Sequence, residues 1–539
     1  MAISIVNIQY NMTYKKNIGS TTKIIHELTE DKVTIPNLPF ENKEGQFIFE
    51  EPFPSFLLSP KDNVEPFTHF HSSHTWCDSL EVSTKSWSYK LHRATLSTPK
   101  DPFAPIDANN KCCIRFRQLM DSRWSKEAKY YYRYILPVKH DTWRNFISGI
   151  DYYRDCDDTA PINGDPLSGV IRIDFPEGQK IHLFSIYNKD LESKFLTIEY
   201  LVIETRFPCT HNDMNRYMYA ISLSLGLVTS VAPFDYAIVV TSKTSDFEGE
   251  IMGGIVKLRS TIKSQHRFFT TDISGLHDDL YNDLKKKADY DAFRPYCDKE
   301  GKLLRSHLDL MTEQEFSALV SMLHRSKDLA RATMMLLVAS NDIEYLGPLY
   351  SVVLETVTLV ITEEKKELFS DYTDAKGKKR DIYNSEKLKD PFERIQQIGY
   401  ELSGIEKQII KSRNKYLHGT LPEGGENIDE LLYNCMELRK LCGILLLRYS
   451  GYKGLILNNA VEMGLKGAIA NKEPLFITYD EEAAKELVEK RKKEKQKEEE
   501  KKKKQSQGKN NKRNQDKNNK QSQGKEKSPQ PTEKPEASV

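Results

Sequence analysis

The chain has 539 residues, and its 79 Lys and Arg against 78 Asp and Glu leave a formal net charge of +1. That balance hides an asymmetry, because residues 481–539 hold 19 Lys and Arg against 12 Asp and Glu, so the first 480 residues carry a net charge of −6. A mildly acidic folded part does not indicate a general basic surface for nucleic acid. The length suits two to four domains of ~150 residues each, and the 38% hydrophobic content is enough for a core.

Cysteine usage and apolar runs bear on the compartment. None of the eight cysteines forms a CxxC pair, which favours reduced thiols over a disulfide framework. The first residues lack a basic segment followed by an apolar one, and no apolar stretch reaches 18 residues. We therefore expect a soluble cytoplasmic protein with no membrane partner.

Residues 1–250 predict a β-rich α+β domain with a mainly antiparallel sheet. Apolar and polar residues alternate over 169–187 around the turn sequence PEGQ, which predicts a hairpin. Residues 212–228 instead place apolar side chains at helical spacing. Further strands are predicted over 112–120, 130–138, 194–207 and 235–241.

The period changes to 3.6 residues after a stretch, 251–311, that we interpret as a helical connector. Residues 312–475 then predict a bundle of amphipathic helices joined by short loops. Asn427 and Glu430 have the spacing of a capping box at the start of the last main helix. The predicted helices cover 313–329, 331–346, 348–368, 392–418 and 427–452.

Residues 480–539 are Lys-rich, contain no aromatic residue and predict a disordered tail. Two interpretations stay open for this tail. It is a solubilising extension, or it is an arm that attracts RNA, because clustered lysines release phosphate counterions on binding.

Several arginines are followed by a histidine five to seven positions later, and chance alone predicts more than one such pair. Context must therefore separate them. Arg206 precedes Pro208 at the end of a predicted strand, Arg259 lies in a polar region, and Arg413 lies late in a long predicted helix. Three of these pairs are Arg206 with His211, Arg259 with His266, and Arg413 with His418.

Arg413 continues an apolar helical stripe, four residues after Ile409. A guanidinium on such a face needs a partner or a ligand, because an unpaired buried charge costs several kcal/mol. Glu355 is the one charged residue within 346–362 and is the predicted partner. On a straight helix Arg413 and His418 point about 140° apart, so they converge only if the helix ends near Gly419. At that end, the helix dipole favours a protonated imidazole.

The segment RNKYLHG, from Arg413 to Gly419, resembles the RNxxxH motif of the HEPN superfamily. The resemblance covers roughly residues 312–465. An N-terminal α+β domain before such a bundle, with ISLSLGLVTS at 221–230, further resembles phage-defence proteins of the ApeA type.

The resemblance implies a metal-independent endoribonuclease with no cofactor, active as a homodimer through the bundle. It implies that His418 is the general acid or base and that Arg413 stabilises charge on the phosphate. Asn414 and Glu355 match the supporting positions. The expected setting is antiviral, abortive-infection defence. The toxin activity would cleave RNA, with tRNA as one candidate, after the N-terminal domain senses an unknown trigger. The predicted RNA contacts are Lys411, Lys415 and Tyr416.

Alternatives remain. In the alternative hypothesis, the bundle is a non-catalytic module for interaction and dimerisation, and the N-terminal domain binds a ligand. His69, His71, His74 and Cys77 form the densest group of ligand-type residues, but without a second half a polar loop is favoured over a metal site. The tyrosine-rich segment 129–135 could stack bases, but alternating strand faces in a sheet are the favoured explanation.

Overall fold

The structure, a computed structural model, describes seven stretches of the chain almost without interruption. Isolated strands between 33 and 115, two short strands within 372–380 and a few single positions are also described. The chain divides into two compact units, 1–361 with 404–479, and 362–403 with 480–539. The seven stretches are 117–137, 170–187, 199–264, 311–338, 343–364, 402–417 and 428–477.

Fifteen described strands precede residue 264, and thirteen of them form one antiparallel sheet. The fold is α+β, with helices and a large antiparallel sheet. The strands are β1 (Val33–Thr34), β2 (Glu44–Ile48), β3 (Ser55–Leu58), β4 (Thr75–Ser83), β5 (Ser88–Ser97), β6 (Cys113–Arg115), β7 (Gln118–Asp121), β8 (Tyr131–Pro137), β9 (Val170–Asp174), β10 (Lys180–Tyr187), β11 (Glu199–Thr205), β12 (Val231–Ala232), β13 (Tyr236–Ser242), β14 (Ile251–Lys257) and β15 (Ile262–Lys263).

The sheet has two parts that share β5. The pairings β1–β2, β2–β3, β3–β6, β6–β5, β5–β4 and β4–β1 make a closed ring of six strands. From β5 the sheet continues in the order β7-β14-β13-β8-β11-β10-β9. Strands β12 and β15 pair separately.

The predicted hairpin at 169–187 is confirmed as β9 and β10. Its turn is closed by a hydrogen bond from the Gly178 amide to the Phe175 carbonyl, 2.9 Å. Gly178 has φ +84°, a conformation that glycine adopts without steric cost.

Helix α1 (His211–Thr229) confirms the predicted helix at 212–228. Thr210 caps its first turn by accepting a hydrogen bond from the Asp213 amide. The apolar positions that predicted it are all buried: Met214, Tyr217, Met218, Ile221 and Leu225.

The sheet extends past the predicted boundary at residue 250. Strand β14 lies between β13 and β7, inside the sheet, and β15 follows it. The prediction of a helical connector over 251–311 is therefore wrong at its start, because Ile251–Lys257 forms a strand that pairs with β13 on one side and with β7 on the other. The remainder of that stretch lies outside the described residues, apart from a few positions such as Phe268.

Seven described helices follow residue 311: α2 (Glu313–Arg325), α3 (Lys327–Leu337), α4 (Ile343–Glu364), α5 (Gly404–Leu417), α6 (Ile428–Tyr449), α7 (Asn459–Glu462) and α8 (Lys466–Ala470). The prediction of one helix over 313–329 is wrong. Ser326 is extended, with φ −106° and ψ 107°, and its side chain caps α3 by accepting from the Leu329 amide. Ser326 favours the end of α2 over its continuation, because its hydroxyl accepts a hydrogen bond from an otherwise unpaired backbone amide in the first turn of α3.

Helix α2 packs against both α1 and β9. It starts with a complete capping box between Thr312 and Glu315. Glu313 accepts hydrogen bonds from the backbone amide and the guanidinium of Arg172 on β9. This helix therefore belongs to the packing of the sheet, although its sequence alone placed it with the helices that follow.

The predicted long helix over 392–418 is interrupted. Leu402 and Ser403 are not helical, and α5 begins at Gly404. The last main helix is confirmed as α6, while its predicted cap, Asn427, lies outside the described residues.

Helix α4 is apolar along most of its length and contains Pro348. Within the described part of the chain, its residues Tyr345–Glu364 are the one stretch long and apolar enough to cross a membrane, and 61% of that window is buried. Core helices of proteins without a membrane have the same length and composition. In the second unit, β16 (Tyr372–Thr373) pairs with β17 (Lys379–Arg380).

After α6 the chain folds back in short elements. Strands β18 (Ile456–Leu457) and β19 (Phe476–Ile477) pair with each other, and α7 and α8 lie between them and contact α6. The predicted disordered tail at 480–539 lies outside the described residues, apart from isolated positions.

Candidate functional site

Arg413 lies on the buried side of α5 and forms the predicted ion pair with Glu355 of α4. Its Nη1 atom is 3.9 Å from Oε2 of Glu355. This separation exceeds the range of a hydrogen bond, so the contact between these two atoms is electrostatic. The sequence argument that Arg413 continues the stripe of Ile409 is confirmed, because both residues are buried.

The two ends of this ion pair differ in exposure. The Arg413 side chain is 9% exposed, whereas the Glu355 side chain is 47% exposed. The guanidinium is thus largely withdrawn from water, while the carboxylate reaches solvent. Partial burial strengthens the attraction, because the effective dielectric falls as water is excluded.

Packing between α4, α5 and α6 positions the pair. The Cys442 thiol of α6 donates to the backbone carbonyl of Tyr350 on α4, 3.5 Å away. Helix α5 contacts α6, and Glu406, two turns before Arg413, is also buried. Each of the two polar residues therefore lies on the inner face of α5.

The other predicted site residues are less completely placed. Lys411 lies exposed on α5. Asn414, Lys415 and Tyr416 belong to the backbone of α5, and their side chains lie outside the described residues, as does the whole of His418. The structure thus brings Arg413 and Glu355 together, and convergence of Arg413 with His418 stays a prediction.

The pair Arg206 and His211 has a structural role. Arg206 forms an ion pair with Glu204 at 3.0 Å. Nδ1 of His211 lies 3.3 Å from the hydroxyl of Tyr134, and burial lowers the pKa of His211 to about 4. A histidine with this pKa is neutral at physiological pH and is packed rather than presented to a substrate.

Arg259 is occupied by packing contacts. Its guanidinium lies 4.9 Å from the ring centroid of Tyr219, and Nη1 is 3.2 Å from the sulfur of Met334. Its sequence neighbour His266 lies outside the described residues.

The tyrosine-rich segment 129–135 becomes β8, and its strand faces are buried. Tyr130, Tyr132 and Tyr134 make edge-to-face contacts along one side, with centroids 6.4 Å and 6.1 Å apart. Arg133 points to the other side and pairs with Glu204. The rings of Tyr130, Tyr132 and Tyr134 are 6% exposed or less and offer no face for a base, so sheet packing explains these three.

The group of His69, His71, His74 and Cys77 has no described side chains. Among the residues that are described, no three His, Cys, Asp or Glu side chains are grouped as metal ligands. The described thiols of Cys209, Cys435 and Cys442 are free and buried, and burial raises the pKa of Cys209 and of Cys435 to about 12.

Two features were missed by sequence reasoning. A cavity of about 600 Å³ opens between the β9–β10 turn, α2 and the end of α6, lined in part by Arg172, Phe175, Ser317, Arg325 and Tyr449. A buried polar cluster lies on α6 at Tyr433, Glu437 and Lys440. Their spacing of four and three residues on an otherwise apolar helix was the available signal.

The comparisons with known proteins do not extend this picture. No protein-family model, no curated protein and no solved structure matches the chain.

Proposed function

We propose that this protein is a metal-independent endoribonuclease of the HEPN type, in which α4, α5 and α6 belong to a helical bundle that carries the active site. The observation that supports the proposal is the ion pair of Arg413 and Glu355. A permanent cation is held on the inner face of α5, five residues before a histidine, in the sequence context typical of these enzymes.

The reaction needs one proton acceptor, one proton donor and a cation. In this proposal a neutral His418 takes the proton of a ribose 2′-hydroxyl, and the oxygen attacks the adjacent phosphorus. The bond from phosphorus to the 5′-oxygen breaks, and a protonated His418 of a second copy gives its proton to that oxygen. The products are a 2′,3′-cyclic phosphate and a 5′-hydroxyl, with no change in oxidation state.

Arg413 stabilises the negative charge that develops on the phosphate oxygens, because a planar guanidinium donates to two oxygens at once. Glu355 orients that guanidinium through the contact at 3.9 Å. Lys411, exposed on the same helix, contributes attraction for the RNA backbone. Two copies of the bundle complete one cleft.

The elements before residue 264 would then serve as the sensor and those after residue 343 as the effector. The RNA is a host translation component, with tRNA as the leading candidate, and the setting is abortive-infection defence. The cavity beside α2 is where the two parts meet, because its wall includes both the β9–β10 turn and the end of α6.

A second function is favoured by one specific observation. The Arg413 side chain is 9% exposed, which suits a structural charge that holds α5 on α4. On that reading the bundle is a dimerisation module and the N-terminal domain binds a ligand. Arg413 then acts on stability and has no effect on RNA.

The first prediction tests His418. Purified full-length protein is incubated with tRNA and with single-stranded RNA in EDTA, and the product ends are identified. The His418→Ala variant is expected to lose about 10²–10⁴-fold in cleavage rate, because a general acid–base group contributes that much. Ser412→Ala is the matched control, since Ser412 lies on α5 and its hydroxyl donates only to the Gln408 carbonyl at 3.0 Å.

Undiminished cleavage by His418→Ala would remove the assignment. Absence of cleavage by the unmodified protein, together with unchanged growth on overexpression, would favour the dimerisation module. Circular dichroism of each variant separates a lost function from a lost fold.

A further inference from the structure

Helix α6 is joined to the segment that follows it by a buried cluster of charged groups. We call residues 456–477, from β18 to β19, the C-terminal segment. We call Tyr433, Glu437 and Lys440 of α6 with Glu473 of the C-terminal segment the carboxylate–lysine cluster. The side chains of Glu437, Lys440 and Glu473 are 2%, 10% and 11% exposed.

The contacts within the cluster are all polar. Lys440 donates to the carboxylate of Glu437 and to Oε2 of Glu473, the latter at 3.0 Å. Tyr433 donates its hydroxyl proton to Oε1 of Glu473. Asn458 and Asn471, both in the C-terminal segment, add their amides, at 2.9 Å from Oε2 of Glu473 and 3.0 Å from the Tyr433 hydroxyl respectively.

Charge in the cluster does not balance when both carboxylates are ionised. One ammonium then faces Glu437 and Glu473, and Glu406 of α5 lies close enough to act on the same ammonium. The neighbouring Arg439 contacts Phe268 and Asn459 instead. Excess negative charge away from water is costly, so one carboxylate holds a proton.

The hydrogen bonds indicate which carboxylate that is. Burial alone would raise the pKa of Glu473, but Lys440 and the donors Tyr433 and Asn458 outweigh burial and lower it. Burial raises the pKa of Glu437 to about 8, and the charge of Glu473 adds to the effect while Lys440 opposes it. Glu437 therefore carries the proton near neutral pH.

We propose that this proton is a latch: while Glu437 is protonated the C-terminal segment is held on α6, and loss of the proton releases it. The proposal is independent of RNA cleavage. Release leaves α6 without the contacts of α7 and α8, including the close approach of Gly467 to the Tyr433 ring.

The direction follows from linkage. An opened segment exposes Glu437 to water, where the pKa returns to its ordinary 4.5. The closed state thus binds one more proton than the open state between pH 4.5 and about 8. Closing is fully favoured below that window and is weakened as the pH rises through it, by about tenfold per pH unit.

Hydrogen–deuterium exchange of the full-length protein tests this. Amide protection within residues 456–477, corrected for chemical exchange, is measured from pH 5.5 to 9. In the unmodified protein the protection factor is expected to fall about tenfold per pH unit up to about pH 8 and then to level off. In Glu437→Gln, which keeps the shape of the protonated group, protection is expected to be independent of pH.

Asp429→Asn is the matched control. Asp429 also joins α6 to the C-terminal segment, through an exposed ion pair with Lys466 at 3.1 Å. This variant should keep the pH dependence of the unmodified protein. Glu473→Gln should move the transition to lower pH, because it removes the charge that competes for Lys440.

Two results would overturn the proposal. One is protection of the C-terminal segment that does not change between pH 5.5 and 8 in the unmodified protein. The other is a Glu437→Gln variant that keeps the full pH dependence, or a Glu473→Gln variant whose transition stays in place. Strand β13 serves as an internal reference in the same experiment, because its protection reports the sheet alone.

Discussion

Arg133 is a buried cation that pairs with a buried carboxylate and stacks on an aromatic ring. Its Nε and Nη2 atoms donate to Oε2 of Glu204 at 2.9 Å and 2.6 Å. Its guanidinium lies 4.2 Å from the ring centroid of Phe247, a residue with φ +56°. Residues other than glycine are strained at that φ, so the contact between the Phe247 ring and the guanidinium offsets the backbone strain at Phe247.

Arg133→Met should therefore be severe. The change leaves Glu204, whose side chain is 2% exposed, without its main partner, and we expect a loss of ~3 kcal/mol in unfolding free energy. Chemical denaturation measures it. Arg206→Met is the control, because Arg206 pairs with the same carboxylate but is 39% exposed, and it should cost less than ~1 kcal/mol. Equal losses in the two variants would contradict this account.

Single residues also show what the sequence reveals about a site. Arg413 and Glu355 were paired correctly because Arg413 continues the apolar stripe of α5 and Glu355 is the one charge within the apolar stretch 346–362. Arg133 and Glu204 gave no comparable signal, since strands hold charged residues on solvent faces as a rule. Their pairing depends on the register of β8 against β11, which joins residues 71 positions apart.

At the scale of elements, Gly443 fixes how closely α6 approaches Phe268. A Cβ at this position would lie 2.1 Å from Cε1 of Phe268. Gly443→Ala should lower the unfolding free energy by ~1–3 kcal/mol, although alanine is the better helix former by about 1 kcal/mol. Gly404→Ala in α5, where nothing lies within 4 Å of the added carbon, should be neutral or stabilising. The denaturant midpoints of the two variants measure the difference. A Gly443→Ala variant more stable than the unmodified protein would contradict the close packing of α6 against Phe268.

Element boundaries were predicted less well than element types. The helices α1 and α6 and the β9–β10 hairpin followed from periodicity and turn residues. The breaks at Ser326 and at Leu402–Ser403 did not, because both interrupt stripes that continue in register. The packing of α2 on β9 was also not predicted, since the amphipathic pattern of a helix shows that one face is buried but not which element buries it.

At the scale of the whole molecule, two buried groups make the stability of the fold depend on pH in opposite directions. Glu437, with its pKa raised by burial, weakens the fold as pH rises towards 8. Burial lowers the pKa of His211 from 6.5 to about 4, so its contribution is present above pH 6.5 and is lost as pH falls towards 4. His324, whose pKa burial also lowers, acts in the same direction as His211.

Thermal melts from pH 4.5 to 9 should therefore show highest stability between about pH 5 and 6.5. Glu437→Gln should flatten the alkaline side of that curve. His211→Phe, which keeps a ring against Trp124, should flatten the acid side. A curve unchanged by both substitutions would show that other groups control the pH response.

Strand β5 pairs with β4 along one edge, and with β7 and then β6 along the other. Any shortened version of the protein that begins after residue 97 therefore strips β7 of one neighbour and leaves it with β14 alone. The unpaired amides and carbonyls of β7 then form an exposed sheet edge, to which strands of other molecules can hydrogen-bond. Self-association of such fragments would reflect that missing strand rather than any natural assembly.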